Sequence, residues 1–147
     1  MKYFAGLLVI AFAAGMTHGQ LSTDSSLPAY HSAPPAKGSL PPVMTEAQLA
    51  EAGLTAPAQK NGYRAAARIG AVLYQLPCYC HCDRSKGHAS LHSCFENTHG
   101  AGCSTCLGEA LYAYQQSKKG WTPKMIRDGI IRGDWNLVDL QNPTPVM

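Results

Sequence analysis

The sequence predicts a small all-α domain, a bundle of four to five helices holding a cysteine-rich loop. Three observations lead there. Apolar residues recur at three-and-four spacing in several windows, start and stop signals bracket those windows, and no stretch alternates with period two. The first helix begins at Glu46, because Thr45-Glu46-Ala47-Gln48 has the form of a capping box, and it stops by Gly53. A second runs from Tyr63 to Leu76, with Ala66, Ile69, Leu73 and Leu76 on one face and Pro77 ending it. The cysteine loop follows. Gly87 leads into a third helix over Ser90–Thr98, with Leu91, Cys94, Phe95 and Thr98 inward and Gly100 beyond its end. The fourth spans Cys103 to Lys119, with Cys106, Leu107, Ala110, Leu111 and Tyr114 on the buried face and Gly120 as a left-handed stop. Thr122-Pro123 starts the last, which buries Met125, Ile126, Gly129 and Ile130 before Trp135 closes the domain.

The flanks read differently. One lysine before an apolar run of about a dozen residues has the form of a secretory signal, and Thr17-His18-Gly19 suits a cut before Gln20. That run is shorter than the ~20 residues of a membrane span, although an uncleaved anchor stays open as an alternative. Residues 1–19 are therefore expected to be a signal peptide, and the protein to be exported, periplasmic or extracellular. Residues 20–44 are rich in Pro, Ser and Ala and predict a disordered linker, 45–136 form the domain, and 137–147 predict a flexible tail. A net charge of +3 without a basic stripe argues against nucleic acid as a partner.

All six cysteines fall between positions 78 and 106, as Cys78, Cys80, Cys82, Cys94, Cys103 and Cys106. Stapling in general would scatter them, so the sulfurs are expected to converge on one place. In an extended loop Cys78, Cys80 and Cys82 present their sulfurs to one side, and neighbours in such a row make poor disulfides with each other. Cys103 and Cys106 fall in the first turn of a helix, where orphan amides and the dipole favour thiolate. Three chemistries compete. Clustered thiolates select copper(I), or zinc as the alternative, with His88 as an auxiliary ligand and Met44 or Met125 as thioether donors. A thiol–disulfide couple would use Cys103 to attack and Cys106 to resolve, which would make the chain an oxidoreductase; otherwise it is not an enzyme. An even cysteine count in an exported domain also fits a disulfide framework, serving an adaptor that reaches an envelope partner. His92 and His99 are expected to be exposed, Tyr74, Tyr112, Tyr114 and Phe95 to be core, and Asp83, Arg84, Lys86 and Glu96 to form a solvated rim.

Pro77-Cys78-Tyr79-Cys80-His81-Cys82, then Gly87-His88, Cys94-Phe95 and Gly102-Cys103 through Cys106, resemble the bacterial PCYCGC (CYCXC) family. The resemblance covers roughly Met44 to Trp135, including Glu109-Ala110 and Ile126-Arg127. It implies a small exported protein with a reactive or metal-binding sulfur site, since some members carry selenocysteine at a motif position. By position it maps Cys78, Cys80, Cys82, His88, Cys94, Cys103 and Cys106 onto that site. His81 stands where the better-known motif has glycine, and the signal lacks the cysteine of its lipoprotein relatives.

Overall fold

The structure is a computed structural model that describes residues 26–147; the expected signal peptide lies outside the described residues. Among these residues there are six α-helices, three 3₁₀ turns and no strand. The helices are α1 (Glu46–Glu51), α2 (Pro57–Arg68), α3 (Gly70–Leu73), α4 (Cys82–Lys86), α5 (Ser104–Lys118) and α6 (Pro123–Arg132). The 3₁₀ turns are Leu91–Phe95, Gly100–Gly102 and Asp134–Leu137. None of these helices is long and apolar enough to cross a membrane.

Local signals set most of the boundaries. At α1 the Thr45 Oγ1 accepts from the Gln48 amide at 3.3 Å while Gln48 Oε1 accepts from the Thr45 amide at 2.8 Å. Thr122 Oγ1 likewise caps α6 by accepting from Met125 N at 3.3 Å. Gly120, at φ +82°, follows the end of α5. The single helix expected over Tyr63–Leu76 is instead two. It starts earlier because Pro57 is pre-set for a first helical position, and it breaks at Ile69, whose backbone leaves the helical region at φ −122° and ψ 29°. Gly70 resumes as α3, and a Cβ there would meet the His92 ring at 3.3 Å, a tight approach that glycine relieves. The helix expected over Ser90–Thr98 is the shorter 3₁₀ turn Leu91–Phe95, which buries Leu91, His92, Cys94 and Phe95. Gly87 does not lead into it; at φ +70° it ends α4, a short helix that lies within the expected cysteine loop.

The core forms where α2 packs on α5, with α6 and the 3₁₀ turns closing the sides. Tyr63, Leu73, Leu76, Leu91, Phe95, Ile126 and Ile130 are buried there, and Cys78, Cys82, Cys94 and Cys106 share the same cluster. Each fully buried aliphatic side chain stabilises the fold by about 1.5–3 kcal/mol before conformational entropy is subtracted.

Both flanking stretches make particular contacts with the domain. His31 stacks on Tyr74 with ring centroids 3.8 Å apart, Arg127 lies over the Tyr30 ring at 4.4 Å, and Met44 N donates to Phe95 O at 2.9 Å. At the other end Val146 is buried beside Ala65 and Leu111, and its amide donates to Asn61 Oδ1 at 3.4 Å. These contacts hang on a few aromatic and apolar residues within otherwise Pro- and Ser-rich sequence.

Candidate metal centre

The cysteine loop is a tight turn, not the extended row its spacing suggested. Buried Pro77 fixes the entry, Cys78 O accepts from His81 N at 3.1 Å, and His81 adopts the left-handed conformation at φ 55°, ψ 35°. That reversal lets Cys82 begin α4, and it brings Cys78 Sγ to 3.2 Å from Cys80 Sγ. Cys80 and Cys82, whose Cα atoms are 5.6 Å apart, are paired as a disulfide, against the expectation that neighbours in this row would not bridge. Leu91 N donates to Leu76 O at 2.9 Å, which holds the 3₁₀ turn against the start of the loop and sets Cys94 Sγ 3.5 Å from Cys82 Sγ. From α5, Cys106 Sγ reaches Cys78 at 3.5 Å and Cys80 at 3.6 Å. Cys78, Cys80, Cys82, Cys94 and Cys106 thus gather with all ligand atoms within 4.8 Å of one another. Their convergence is the central expectation from the sequence, and it holds for these five.

Cys103 stands one step out. It precedes Ser104 as the N-cap residue of α5, is half-buried, and borders a cleft of about 350 Å³ shared with Gln59, Ala101, Ser104 and Leu107. Its link to the pocket is a hydrogen bond with Cys106. Met44 packs against the core, and Met125 is half-exposed on α6.

The sulfurs do not titrate alike. Hydrogen bonds from Cys106, then from Cys94, pull the Cys78 thiol down to about 3, against the effect of burial. Cys106 moves the opposite way, because its hydrogen bonds to Cys103, Cys78 and Cys94 each favour its protonated form. Cys94 is lowered by Cys106, but the hydrogen bond and negative charge of Cys78 together with burial outweigh this and raise it. The Cys106 hydrogen bond brings Cys103 down to about 6. So the helix start at α5 does not act on its two cysteines alike: Cys103 is the acidic one and Cys106 the proton holder. The cluster thus sets the Cys78 thiolate beside the Cys94 and Cys106 thiols and the Cys80–Cys82 disulfide.

Glu109 completes the inner wall. It is fully buried on α5, one turn beyond Cys106, and its Oε1 accepts from Tyr79 N at 2.9 Å. Burial, reinforced by the charge on Cys78, pushes this carboxyl well above the usual carboxylate range, which favours its neutral form. Its signals in the sequence are the three-residue spacing from Cys106 and its place within the family resemblance.

Residues 52–136, more than half of the chain, match the family described as "Protein of unknown function with PCYCGC motif". The chain belongs to this PCYCGC-motif family. No curated protein and no solved structure matches it. Against the motif that names the family, the fifth residue is His81 rather than glycine. The structure gives the reason for glycine: His81 is the one non-glycine residue with positive φ among the described residues.

A second group adjoins the sulfurs. Cys82, His88, Cys94 and His99 also place their ligand atoms within 4.8 Å of one another. His88 Nδ1 is 3.3 Å from Cys94 Sγ, and the rings of His88 and His99 meet edge to face at 5.0 Å. Burial, and next the neighbouring His99, lower the His88 pKa, which favours the neutral imidazole a metal needs. The expectation that His99 is merely an exposed loop residue is corrected: it is half-buried, and its Nε2 is buried without a hydrogen-bond partner. His92, also expected to be exposed, is buried, with Nδ1 3.1 Å from Glu96 Oε1, and belongs to neither group. Nothing local in the sequence marks His99; only the fold brings it to Cys82 and Cys94.

Proposed function

We propose that this protein binds a thiophilic cation in its sulfur pocket, with copper(I) the favoured ion and zinc the alternative, and that it buffers the ion or passes it on outside the cytoplasm. The observation that carries this reading is the packing of Cys78, Cys80, Cys82, Cys94 and Cys106 from three separate segments within mutual ligand distance. Soft thiolates in that number select soft monovalent or borderline ions over magnesium or calcium. The lining supports the choice, because the Glu109 carboxyl against the pocket is pushed well above the usual carboxylate range and offers a hard cation little.

Cys80 and Cys82 join the ligand set once their bridge takes up two electrons and two protons, for which an external dithiol is the natural reductant. Cys103 then suits the role of exchange ligand: it is acidic, half-buried, hydrogen-bonded to Cys106 and bordering a cleft wide enough for the edge of a partner. His88, which is grouped with Cys82 and Cys94, stands at the edge of the pocket as the auxiliary ligand. Export rests on the N-terminal charge and apolar pattern, and transfer would need an envelope protein presenting its own thiols.

A second reading has one observation in its favour. The depressed Cys103 pKa of about 6 beside Cys106 also suits a thiol–disulfide exchange pair. One experiment separates the two. The protein is reduced, freed of reductant without oxygen, and titrated with copper(I) in competition with a chromophoric copper(I) chelator, with thiols counted by alkylation and mass. Metal binding predicts stoichiometric copper retained against the chelator and full protection of the Cys78, Cys80, Cys82, Cys94 and Cys106 thiols. Failure to hold copper while only Cys103 and Cys106 cycle between thiol and disulfide would overturn it in favour of exchange.

A further inference from the structure

We infer a second metal subsite, built from His88, His99, Cys82 and Cys94, that takes a divalent ion of zinc type and shares its two sulfurs with the all-sulfur pocket. The inference rests on the metal-binding reading for its neighbour but stands on its own residues. A tetrahedral zinc with Zn–S of about 2.3 Å and Zn–N of about 2.0 Å has S–S edges of about 3.8 Å and S–N edges of about 3.5 Å. The Cys82–Cys94 sulfurs are 3.5 Å apart, and His88 Nδ1 is 3.3 Å from Cys94 Sγ. Both edges are within a few tenths of an ångström of that tetrahedron.

The fourth corner is supplied by His99. Its Nε2 is buried and has no hydrogen-bond partner, so this polar atom carries the cost of an unmade bond. A metal at the centre of the group removes that cost. The charges also balance, since Cys82 and Cys94 as thiolates neutralise one dication with both imidazoles neutral.

The two subsites differ in chemistry. Cys78, Cys80 and Cys106 belong to the first group alone and offer sulfur only. Cys82 and Cys94 belong to both groups and are placed to bridge two ions, as thiolates do. The mixed sulfur–nitrogen side therefore prefers a borderline divalent ion, while the sulfur side prefers a soft one. Because Cys82 is engaged with Cys80 in the disulfide, closing that bridge removes Cys82 from both subsites and Cys80 from the sulfur pocket as well.

Cadmium serves as the probe. The full reduced protein is titrated with ¹¹³Cd²⁺ without oxygen, and the metal is observed by NMR, whose shift distinguishes all-sulfur from mixed sulfur–nitrogen coordination. A first and a second equivalent are expected, one resonance in each range, with scalar coupling between them through the bridging sulfurs. In the wild type, the ring nitrogens of His88 and His99 should shift on loading while those of His92 stay in place. His99→Ala, and independently His99→Gln as the milder change, should abolish only the mixed resonance and lower the stoichiometry by one. A mixed resonance that persists in both variants, or wild-type histidine nitrogens that do not respond to metal, would overturn the inference. A mixed resonance without the all-sulfur one would support this subsite while refuting the soft-ion pocket.

Discussion

Gly100→Ala places a methyl group against the part of the chain that positions Cys94. The added Cβ would lie 2.7 Å from the backbone oxygen of Cys94 and 3.2 Å from two ring carbons of Phe95. Comfortable carbon contacts begin near 3.5 Å, and neither neighbour has room to move, since Cys94 and Phe95 are both fully buried. Overpacking of this kind costs about 1–3 kcal/mol, while replacing glycine returns about 0.4–1 kcal/mol by restricting the unfolded chain. The net expectation is a loss of about 1–2 kcal/mol. Gly102→Ala, in the same 3₁₀ turn, is the matched control. A Cβ there meets nothing within 4 Å, and neither glycine has positive φ, so this variant should equal or slightly exceed the wild type. Urea unfolding of the reduced proteins, followed by the fluorescence of Trp121 and Trp135, reads the difference. A Gly100→Ala midpoint at or above wild type, or an equal fall for Gly102→Ala, would refute the packing argument around Cys94.

Glu109→Gln keeps the shape and the neutrality of a carboxyl that burial already holds protonated, so its unfolding midpoint should stay near wild type. Glu109→Ala leaves the Tyr79 amide without this acceptor beside a cavity and should cost about 2–4 kcal/mol in the same assay. Tyr63→Phe removes a hydroxyl that donates to Asn97 O and accepts from Ala101 N at 3.1 Å, for a loss of about 1–3 kcal/mol by urea unfolding. Burial also raises the Tyr63 phenol to about 12 from its ordinary 10.0, so the folded state favours the neutral form. That contribution is complete below pH 10.0 and lost as pH rises through about 12; the alkaline fall in stability should be shallower in Tyr63→Phe. His81→Gly relieves a left-handed residue and should be tolerated or stabilising by up to about 1 kcal/mol, whereas His81→Val should lose about 1–2 kcal/mol by thermal unfolding. Equal stability of these two variants would mean that the turn does not impose that conformation.

What could be read from the sequence was what is decided locally. Thr45 with Gln48, Thr122 with Pro123, and Gly120 all act within one turn of the residues they cap, and α1, α5 and α6 lie within a residue or two of expectation. The clustering of cysteines between positions 78 and 106 also carried through, because sulfurs so close in the chain need little help to meet. The misses are long-range. The break between α2 and α3 falls at Ile69, next to Gly70, where the His92 ring from a different turn packs close by. His99 gains its meaning from Cys82 and Cys94, and Glu109 gains its neutral state from burial against Cys78. The His81 conformation was signalled only by the glycine it replaces, and the Cys80–Cys82 pairing depends on a turn that spacing alone does not reveal.

Val146 has a practical consequence for anyone handling the protein. Its side chain plugs a small apolar notch over Ala65 and Leu111, and its amide is tied to Asn61. Cutting the chain a few residues short would unplug that notch and leave sticky surface on α2 and α5, the same pair of helices that braces the sulfur end. Changes at this end should therefore leave Val146 and its neighbours in place.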